Sequence, residues 1–409
     1  MIDILIPAPY QVDEHGLRRV AVDELLSCVL DAESPWWRRD PCAVALIGRV
    51  PKERVPALME RVRDADCERG IRAALLEVLS DRVELLPCLA SGTQQDVRHE
   101  REATILKMRA LLGDRSALPA LAGTVGSSEV RAARLCGAGL DALVARYGLD
   151  ALLTDFDDRL PQDRIRALRV RHRAGEDVTD ALADPDREVA QEAARTCRLD
   201  VDRLRAYLDH APTPEAKLWA TYALACTARG EAYADEVYGA LGPVEVAGLD
   251  DEICRAIVHT YEVWSGSRTG PRWRLEALYS EPPAPVDEEG QLLRVAAALA
   301  AAGLSPQPPS SGAHDHGGGG RATYHAIGFA DGRSRLLVST LGRFVTGEDP
   351  GRTDSAVRRA LESEGFRWID DATGAVAVPD LAVGVLDHHP DLSVRDVLFF
   401  WTGCEPSCW

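Results

Sequence analysis

Lysine is nearly absent from this sequence of 409 residues: only Lys52, Lys107 and Lys217 occur among the 47 basic residues. The remaining basic residues are arginines, and together with frequent alanine and glycine they are typical of a GC-rich bacterial genome, so arginine abundance alone indicates no function. No block of basic residues is present, and the formal net charge is −18. The electrostatic field of so negative a protein repels the phosphate backbones of nucleic acids. The composition therefore disfavours nucleic acid as a partner.

Long hydrophobic runs are also missing. No window reaches about 18 consecutive uncharged apolar residues, so no membrane span is expected. The first five residues, MIDIL, carry an acid and lack the basic start and cleavage site of a secretory signal. The ten cysteines are mostly scattered singly, which argues against a disulfide framework. We therefore expect a cytoplasmic protein in a reducing compartment.

A short pattern does recur along the chain. It consists of a β-branched or similar apolar residue, often followed by arginine, and then an alanine-rich stretch with helical spacing. Copies begin at Ile71, Val97, Val130, Ile165 and Val189, and the spacing of these five wanders between about 24 and 35 residues, with a looser copy at 253. This spacing predicts stacked helix pairs, that is, an α-solenoid.

The strongest copy covers residues 182–197, LADPDREVAQEAARTC. Asp and Pro before the helix are expected to cap its first turn and set its entry angle, while small residues allow close helix approach. Similar turns are LGDRSALPAL at 112–121 and APTPEAKLWA at 211–220. In these features the chain resembles the HEAT-repeat (armadillo-like) family over roughly residues 35–265. The resemblance implies a mainly α fold and says little about function.

The clearest predicted boundary is the Pro-, Gly- and Ser-rich segment 305–320, which we interpret as a linker. It separates a HEAT-like solenoid with helical caps, 1–304, from a small α+β domain, 321–409. In that domain the pattern predicts strands at 324–329, 334–340, 366–369 and 375–378. It also predicts a helix at 353–363 and a final helix starting near Ser393.

The C-terminal tail holds two cysteines four residues apart, Cys404 and Cys408. With His388 and His389 they could supply four zinc ligands, but the spacing is looser than in structural zinc knuckles. The alternatives are a redox or regulatory disulfide and a plain tail with an aromatic docking edge, and we favour the tail. No metal site or cofactor is therefore predicted.

Tryptophan next to arginine marks two further segments. Trp36, Trp37, Arg38 and Arg39 are consecutive, and Trp264 and Trp273 flank a second segment. Aromatic and arginine side chains anchor many protein interfaces, although packing of the end caps explains the same residues. These six residues are our candidates for partner binding.

No catalytic motif is found, so we expect a non-catalytic scaffold that holds a protein partner on the concave face of the solenoid. The acidic charge favours a basic partner, and one role that we consider is neutralising a toxin as an immunity protein. The alternative is a nucleic-acid-processing or metal-dependent enzyme, in which the C-terminal domain acts and the solenoid positions the substrate. The sequence does not indicate an oligomeric state.

Overall fold

The computed structural model describes most of the chain. The described residues are 2–92, 95–227, 230–246, 248–264, 269–280, 286–311, 323–332, 334–349, 355–382 and 392–399, with the backbone alone for 259–264 and 311. This part is mainly helical and has a small sheet region toward its C-terminus, which confirms the expected fold class at that level. It divides into two compact units, Met1–Val178 and Thr179–Trp409.

The described part of the first unit is built from α-helices and short 3₁₀ turns. Its α-helices are α1 (Ile2–Leu5), α2 (Glu14–Leu17), α3 (Val22–Leu30), α4 (Trp36–Leu46), α5 (Val55–Arg63), α6 (Arg69–Val78), α7 (Leu86–Ala90), α8 (Arg98–Leu111), α9 (Leu118–Thr124), α10 (Val130–Tyr147), α11 (Leu149–Leu153) and α12 (Pro161–Arg173). Helices pack in sequential pairs, α3 with α4, α5 with α6, α7 with α8 and α9 with α10. The second members α4, α6, α8 and α10 also contact one another in succession.

Apolar residues at helical spacing explain this packing. On α10, Ala132, Leu135, Cys136, Leu140 and Leu143 are all buried, so one face of the helix enters the core. The recurring pattern lies at or near helices in this unit, with Ile71 in α6, Val130 starting α10 and Ile165 in α12. The helical periodicity is thus confirmed, whereas the arrangement of the helices as a solenoid stays a prediction.

The second unit begins with helices and ends with the sheet. Its described α-helices are α13 (Arg187–Cys197), α14 (Val201–Leu208), α15 (Pro214–Ala225), α16 (Glu231–Leu241), α17 (Asp251–Trp264), α18 (Pro271–Tyr279), α19 (Glu288–Ala301), α20 (Ser355–Ser363), α21 (Asp371–Gly374) and α22 (Val394–Leu398). Its described strands are β1 (Ser310–Ser311), β2 (Tyr324–Ile327), β3 (Leu336–Ser339), β4 (Phe344–Gly347), β5 (Arg367–Trp368), β6 (Ala377–Val378) and β7 (Leu392–Ser393).

Two helix starts expected from the sequence are confirmed in this unit. Asp186 caps α13, since its carboxylate accepts hydrogen bonds from the backbone N–H groups of Glu188 (3.0 Å) and Val189 (3.4 Å). Ser393 caps α22 in a reciprocal capping box with Asp396. In both cases a short polar side chain satisfies backbone donors that the first helical turn leaves unpaired.

The main sheet has the strand order β1-β2-β3-β4-β5. Neighbouring strands are antiparallel except β4 and β5, which are parallel and are joined through α20. The second sheet pairs β6 with β7. Strands β1, β4 and β7 were not predicted, whereas β2, β3, β5 and β6 lie within predicted strand segments.

Both faces of the main sheet are covered. On β3, Leu336 and Val338 belong to a hydrophobic cluster with α19 and α20, whereas Leu337 belongs to a cluster with α17, α18 and α22. Helices before residue 305 therefore share clusters with strands after residue 321. The predicted linker, 305–320, falls between these elements, and its described beginning carries β1.

Candidate functional site

Several of the predicted site residues lie outside the described part of the chain. These are His388, His389, Cys404 and Cys408, together with the side chain of Trp264, whose backbone ends α17. Among the described residues, no group of three or more His, Cys, Asp or Glu side chains is placed to hold a metal ion. The three interpretations of the tail, namely a plain tail, a zinc site and a regulatory disulfide, thus concern residues outside the described part of the chain.

The four consecutive residues at the start of α4 have different environments. Trp36 is 60% exposed, and Trp37 is partly buried against the hydrophobic core. The guanidinium of Arg38 lies 4.7 Å from the centre of the Trp37 ring and forms an ion pair with Asp3 at 2.7 Å.

Arg39 and Trp273 are buried. Arg39 donates from Nε to the carbonyl oxygen of Ser34 at 2.8 Å and from Nη1 to both carboxylate oxygens of Glu68, at 3.1 and 3.2 Å. In the second unit, the indole N–H of Trp273 donates to the carbonyl oxygen of Pro379 at 2.8 Å. Both side chains are thus held by internal hydrogen bonds.

A cavity of about 290 Å³ lies beside α4 and α2. Its lining residues are Val12, Glu14, Leu17, Arg18, Asp40, Pro41, Val44, Ala45 and Arg134. Pro41 lies inside α4 and has no N–H to donate to the carbonyl oxygen of Trp37, so the helix is locally weakened at the cavity wall. The cavity therefore joins an apolar wall to charged groups of both signs.

Trp36, Asp40 and Val44 follow one another at four-residue intervals on α4 and therefore project from one side of the helix. Asp40 and Val44 line the cavity, so the exposed indole of Trp36 stands one turn from it. We call Trp36, Trp37, Arg38, Asp40 and Val44 the α4 surface. It combines an exposed aromatic side chain with a neighbouring cavity.

A partly buried ionic network, whose members Asp40 and Arg134 line the cavity, joins α4, α6 and α10. Glu77 is fully buried, and its two carboxylate oxygens accept hydrogen bonds from Nε (2.6 Å) and Nη2 (2.8 Å) of Arg134. Arg131 forms an ion pair with Asp40 and places its Nε 3.2 Å from Glu77, as an ion pair rather than a hydrogen bond. Burial opposes the charge of Arg134, but its hydrogen bond and attraction to Glu77 outweigh burial and raise its pKa.

A second buried pair joins α8 to the turn after α6. The ammonium of Lys107 donates to the hydroxyl of Ser80 at 2.6 Å, and both residues are buried. Burial lowers the pKa of Lys107, against the attraction of Asp81 and Glu77. A serine beside a lysine of lowered pKa is an arrangement for nucleophilic catalysis. Ser80 has no exposed surface in this structure, so its hydroxyl is closed to a substrate.

Replacing Lys107 by methionine is expected to change how stability depends on pH. The folded protein releases the Lys107 proton at a lower pH than the unfolded chain, whose lysines titrate at about 10.4. Between the two pKa values the unfolded state binds more protons, so this residue makes stability rise with pH. The free energy of unfolding of the wild type, minus that of Lys107→Met, should therefore increase as the pH rises toward about 10.4, the pKa of an unfolded lysine.

Urea denaturation of the wild type and Lys107→Met at a series of pH values measures the difference between their free energies of unfolding. Other groups that titrate equally in the two proteins cancel from this difference. A difference that stays constant or falls as the pH rises contradicts a buried, charged Lys107.

The second unit contains a buried cluster of one arginine and two aromatic rings. The guanidinium of Arg274 lies 5.7 Å from the ring centre of Trp219 and 5.9 Å from that of Tyr222. Arg274 also donates to the carbonyl oxygen of Thr269 and to the amide oxygen of Gln191, both at 3.0 Å. The cation is thus satisfied internally, which indicates a role in stability.

The sequence interpretation missed the ionic network and the cavity. Glu77 stands in the apolar run Leu75-Leu76-Glu77-Val78, and an acid in such a run signals a buried charge that needs a partner. Arg131 and Arg134 are three residues apart on α10 and point to one side. These local signals identify charged residues that need partners, but they do not show which residues contact one another.

No described helix has the length and apolar character needed to cross a membrane. Comparison of the chain with protein-family models, with curated proteins and with solved structures finds no match.

Proposed function

We propose that this protein is a non-catalytic scaffold and that a protein partner docks on the α4 surface. The observation that carries the proposal is the exposed indole of Trp36, which stands one helical turn from a cavity of about 290 Å³. Tryptophan, tyrosine and arginine dominate the binding energy of protein interfaces, and such anchors cluster around pockets.

The two parts of the α4 surface complement each other. Trp36 offers a large apolar side chain that a partner can cover, and the cavity can accept one large side chain of the partner. Arg38 is fixed by Asp3 and by the Trp37 ring, so little side-chain freedom is lost when a partner binds. A surface that is already ordered favours tight binding.

The charge of the chain favours a basic partner. The net charge of −18 attracts a basic protein over long distances and speeds its association, and added salt weakens this attraction. The lining of the cavity is balanced, because Glu14 and Asp40 lie there with Arg18 and Arg134. The charge of the whole chain, rather than that of the cavity, therefore favours a basic partner.

Replacing Trp36 by alanine is expected to raise the Kd for the partner about 30-fold or more, which corresponds to about 2 kcal/mol. The fold should be unaffected because most of the indole is already in water. Isothermal titration calorimetry with the partner obtained by affinity purification measures the change.

The matched control is Leu160→Ala, which removes another exposed apolar side chain of the same unit, away from the α4 surface. Its Kd should equal that of the wild type. Equal Kd values for the wild type and Trp36→Ala would place the interface elsewhere. Binding that is lost after nuclease treatment would instead favour the nucleic-acid alternative.

A further inference from the structure

The cavity beside α2 and α4 is lined by two acidic and two basic side chains, and one residue of each sign is already paired within the first unit. Asp40 forms an ion pair with Arg131. Arg134 donates to both carboxylate oxygens of Glu77, at 2.6 and 2.8 Å. The charges of Asp40 and Arg134 are therefore largely satisfied by the protein itself.

The other two charged residues of the lining are Glu14 and Arg18. Glu14 is the first residue of α2 and Arg18 directly follows the helix, so the two residues are one helical turn apart. Both are exposed, and within the described part of the chain neither side chain forms an ion pair or a hydrogen bond. The cavity thus offers one carboxylate and one guanidinium that a ligand can pair with.

The backbone that carries these two charges is held in place. Asp13 caps α2, since its carboxylate accepts a hydrogen bond from the N–H of Gly16 at 2.8 Å. The N–H of Arg18 donates to the carbonyl oxygen of Glu14 at 3.2 Å. Leu17, next to Arg18, is buried in the core of the first unit, where α2 contacts α4. Because the site is ordered beforehand, a ligand loses little of its binding free energy to ordering the protein.

The rest of the lining is apolar and sets the size of the ligand. It consists of Val12, Leu17, Pro41, Val44 and Ala45. The volume of about 290 Å³ lies at the lower end of the range of about 300–1,000 Å³ that is typical of small-molecule sites. The cavity therefore suits a molecule the size of an amino acid, with an apolar part that contacts this wall.

The charges of the lining select among ligands of this size. A neutral apolar ligand would take water from Glu14 and Arg18 without replacing it, which is costly. A ligand with one charge, such as a chain terminus of a protein, would pair with only one of the two residues. A zwitterion pairs with both, and a carboxylate can accept two parallel hydrogen bonds from a guanidinium.

We propose that this cavity binds a free α-amino acid with a large apolar side chain. The ammonium of the ligand pairs with Glu14, its carboxylate pairs with Arg18, and its side chain lies against the apolar wall formed with Pro41 and Val44. A bound amino acid fills the space that is open to a side chain of the proposed partner, so the two exclude each other there. The site itself requires no partner, and the protein alone is sufficient to test it.

The experiment titrates the full-length protein with L-phenylalanine and follows binding by microscale thermophoresis, which reaches the millimolar range. The expected Kd is about 0.1–1 mM, as for other ligands of this size. Three analogues each lack one recognised group: L-phenylalaninamide the carboxylate, N-acetyl-L-phenylalanine the ammonium, and L-alanine the large side chain. Each analogue should bind about tenfold more weakly than L-phenylalanine, or more weakly still.

Two variants assign the charges of the site. Arg18→Gln should weaken the binding of L-phenylalanine about tenfold but should not weaken that of L-phenylalaninamide, which has no carboxylate for Arg18 to bind. Glu14→Gln should likewise weaken L-phenylalanine but not N-acetyl-L-phenylalanine, which has no ammonium. The matched control is Arg19→Gln, because Arg19 is exposed beside Arg18 but does not line the cavity, and its Kd should equal that of the wild type.

A third variant, Val44→Trp, places a large side chain at the wall of the cavity and should abolish binding of L-phenylalanine. All four substituted residues are exposed, so the variants should fold, and circular dichroism checks this. The proposal is overturned if L-phenylalanine shows no binding to the wild type up to about 10 mM. It is equally overturned if Arg18→Gln binds L-phenylalanine as well as Arg19→Gln does, or if Val44→Trp keeps the wild-type Kd.

Discussion

Replacing Glu77 by alanine is expected to lower the free energy of unfolding by about 3–5 kcal/mol. Glu77 is fully buried and is the shared acceptor for Arg131 and Arg134, with Arg134 bound through both of its carboxylate oxygens. Without it, the two guanidinium groups keep only Asp40 as a nearby acid in this network. A buried charge that loses its partner is far more costly than the loss of an exposed ion pair.

The matched control for this substitution is Glu102→Ala. Glu102 pairs with Arg98 at 2.8 Å one turn apart on α8, with both side chains largely exposed. Its loss should lower the free energy of unfolding by no more than about 0.5 kcal/mol. Urea denaturation of both variants gives the comparison. Similar small losses in the two variants would mean that the Glu77 network contributes little to stability.

Replacing Trp219 by alanine is expected to destabilise the second unit by about 3–5 kcal/mol. Trp219 is fully buried, packs edge-to-face with Tyr222 at 6.0 Å between ring centres, and lies beneath the Arg274 guanidinium. The substitution therefore removes a large buried surface, an aromatic pair and a cation–π contact together.

Two controls separate these contributions. Trp36→Ala makes the same substitution at an exposed site and should change the free energy of unfolding by no more than about 0.5 kcal/mol. Trp219→Phe should cost less than Trp219→Ala, because it keeps a ring beneath Arg274 and removes an indole N–H that has no acceptor among the described residues. If Trp219→Ala and Trp36→Ala lowered the free energy of unfolding by similar small amounts, this result would contradict the buried packing of Trp219 on α15.

The sequence was most informative where structure is decided locally. Helix starts at Asp186 and Ser393 were predictable because an N-cap depends on a side chain and the backbone two or three residues later. Strand β4 was missed because Phe344 and Val345 are both buried, one on each face of the sheet, so no alternation of polar and apolar residues marks the strand.

The candidate site was less predictable because it depends on contacts between distant residues. Asp40 and Arg131 are on α4 and α10, and no local pattern indicates that they meet. The segment beginning at Trp36 shows a second reason why the sequence alone did not predict the site. Successive residues on a helix point about 100° apart, so Trp36 faces solvent while its neighbour Trp37 packs against the core, although both belong to one sequence motif.

The central claim is that a protein partner binds the α4 surface, and paired affinity purification tests it most directly. Wild type, Trp36→Ala and Leu160→Ala serve as baits in nuclease-treated extract of the source cells, at low and moderate salt, with quantitative mass spectrometry of the eluates. The account predicts one stoichiometric protein that is recovered equally by wild type and Leu160→Ala and is strongly depleted with Trp36→Ala. Equal recovery by all three baits, or no specific protein with any of them, would contradict it.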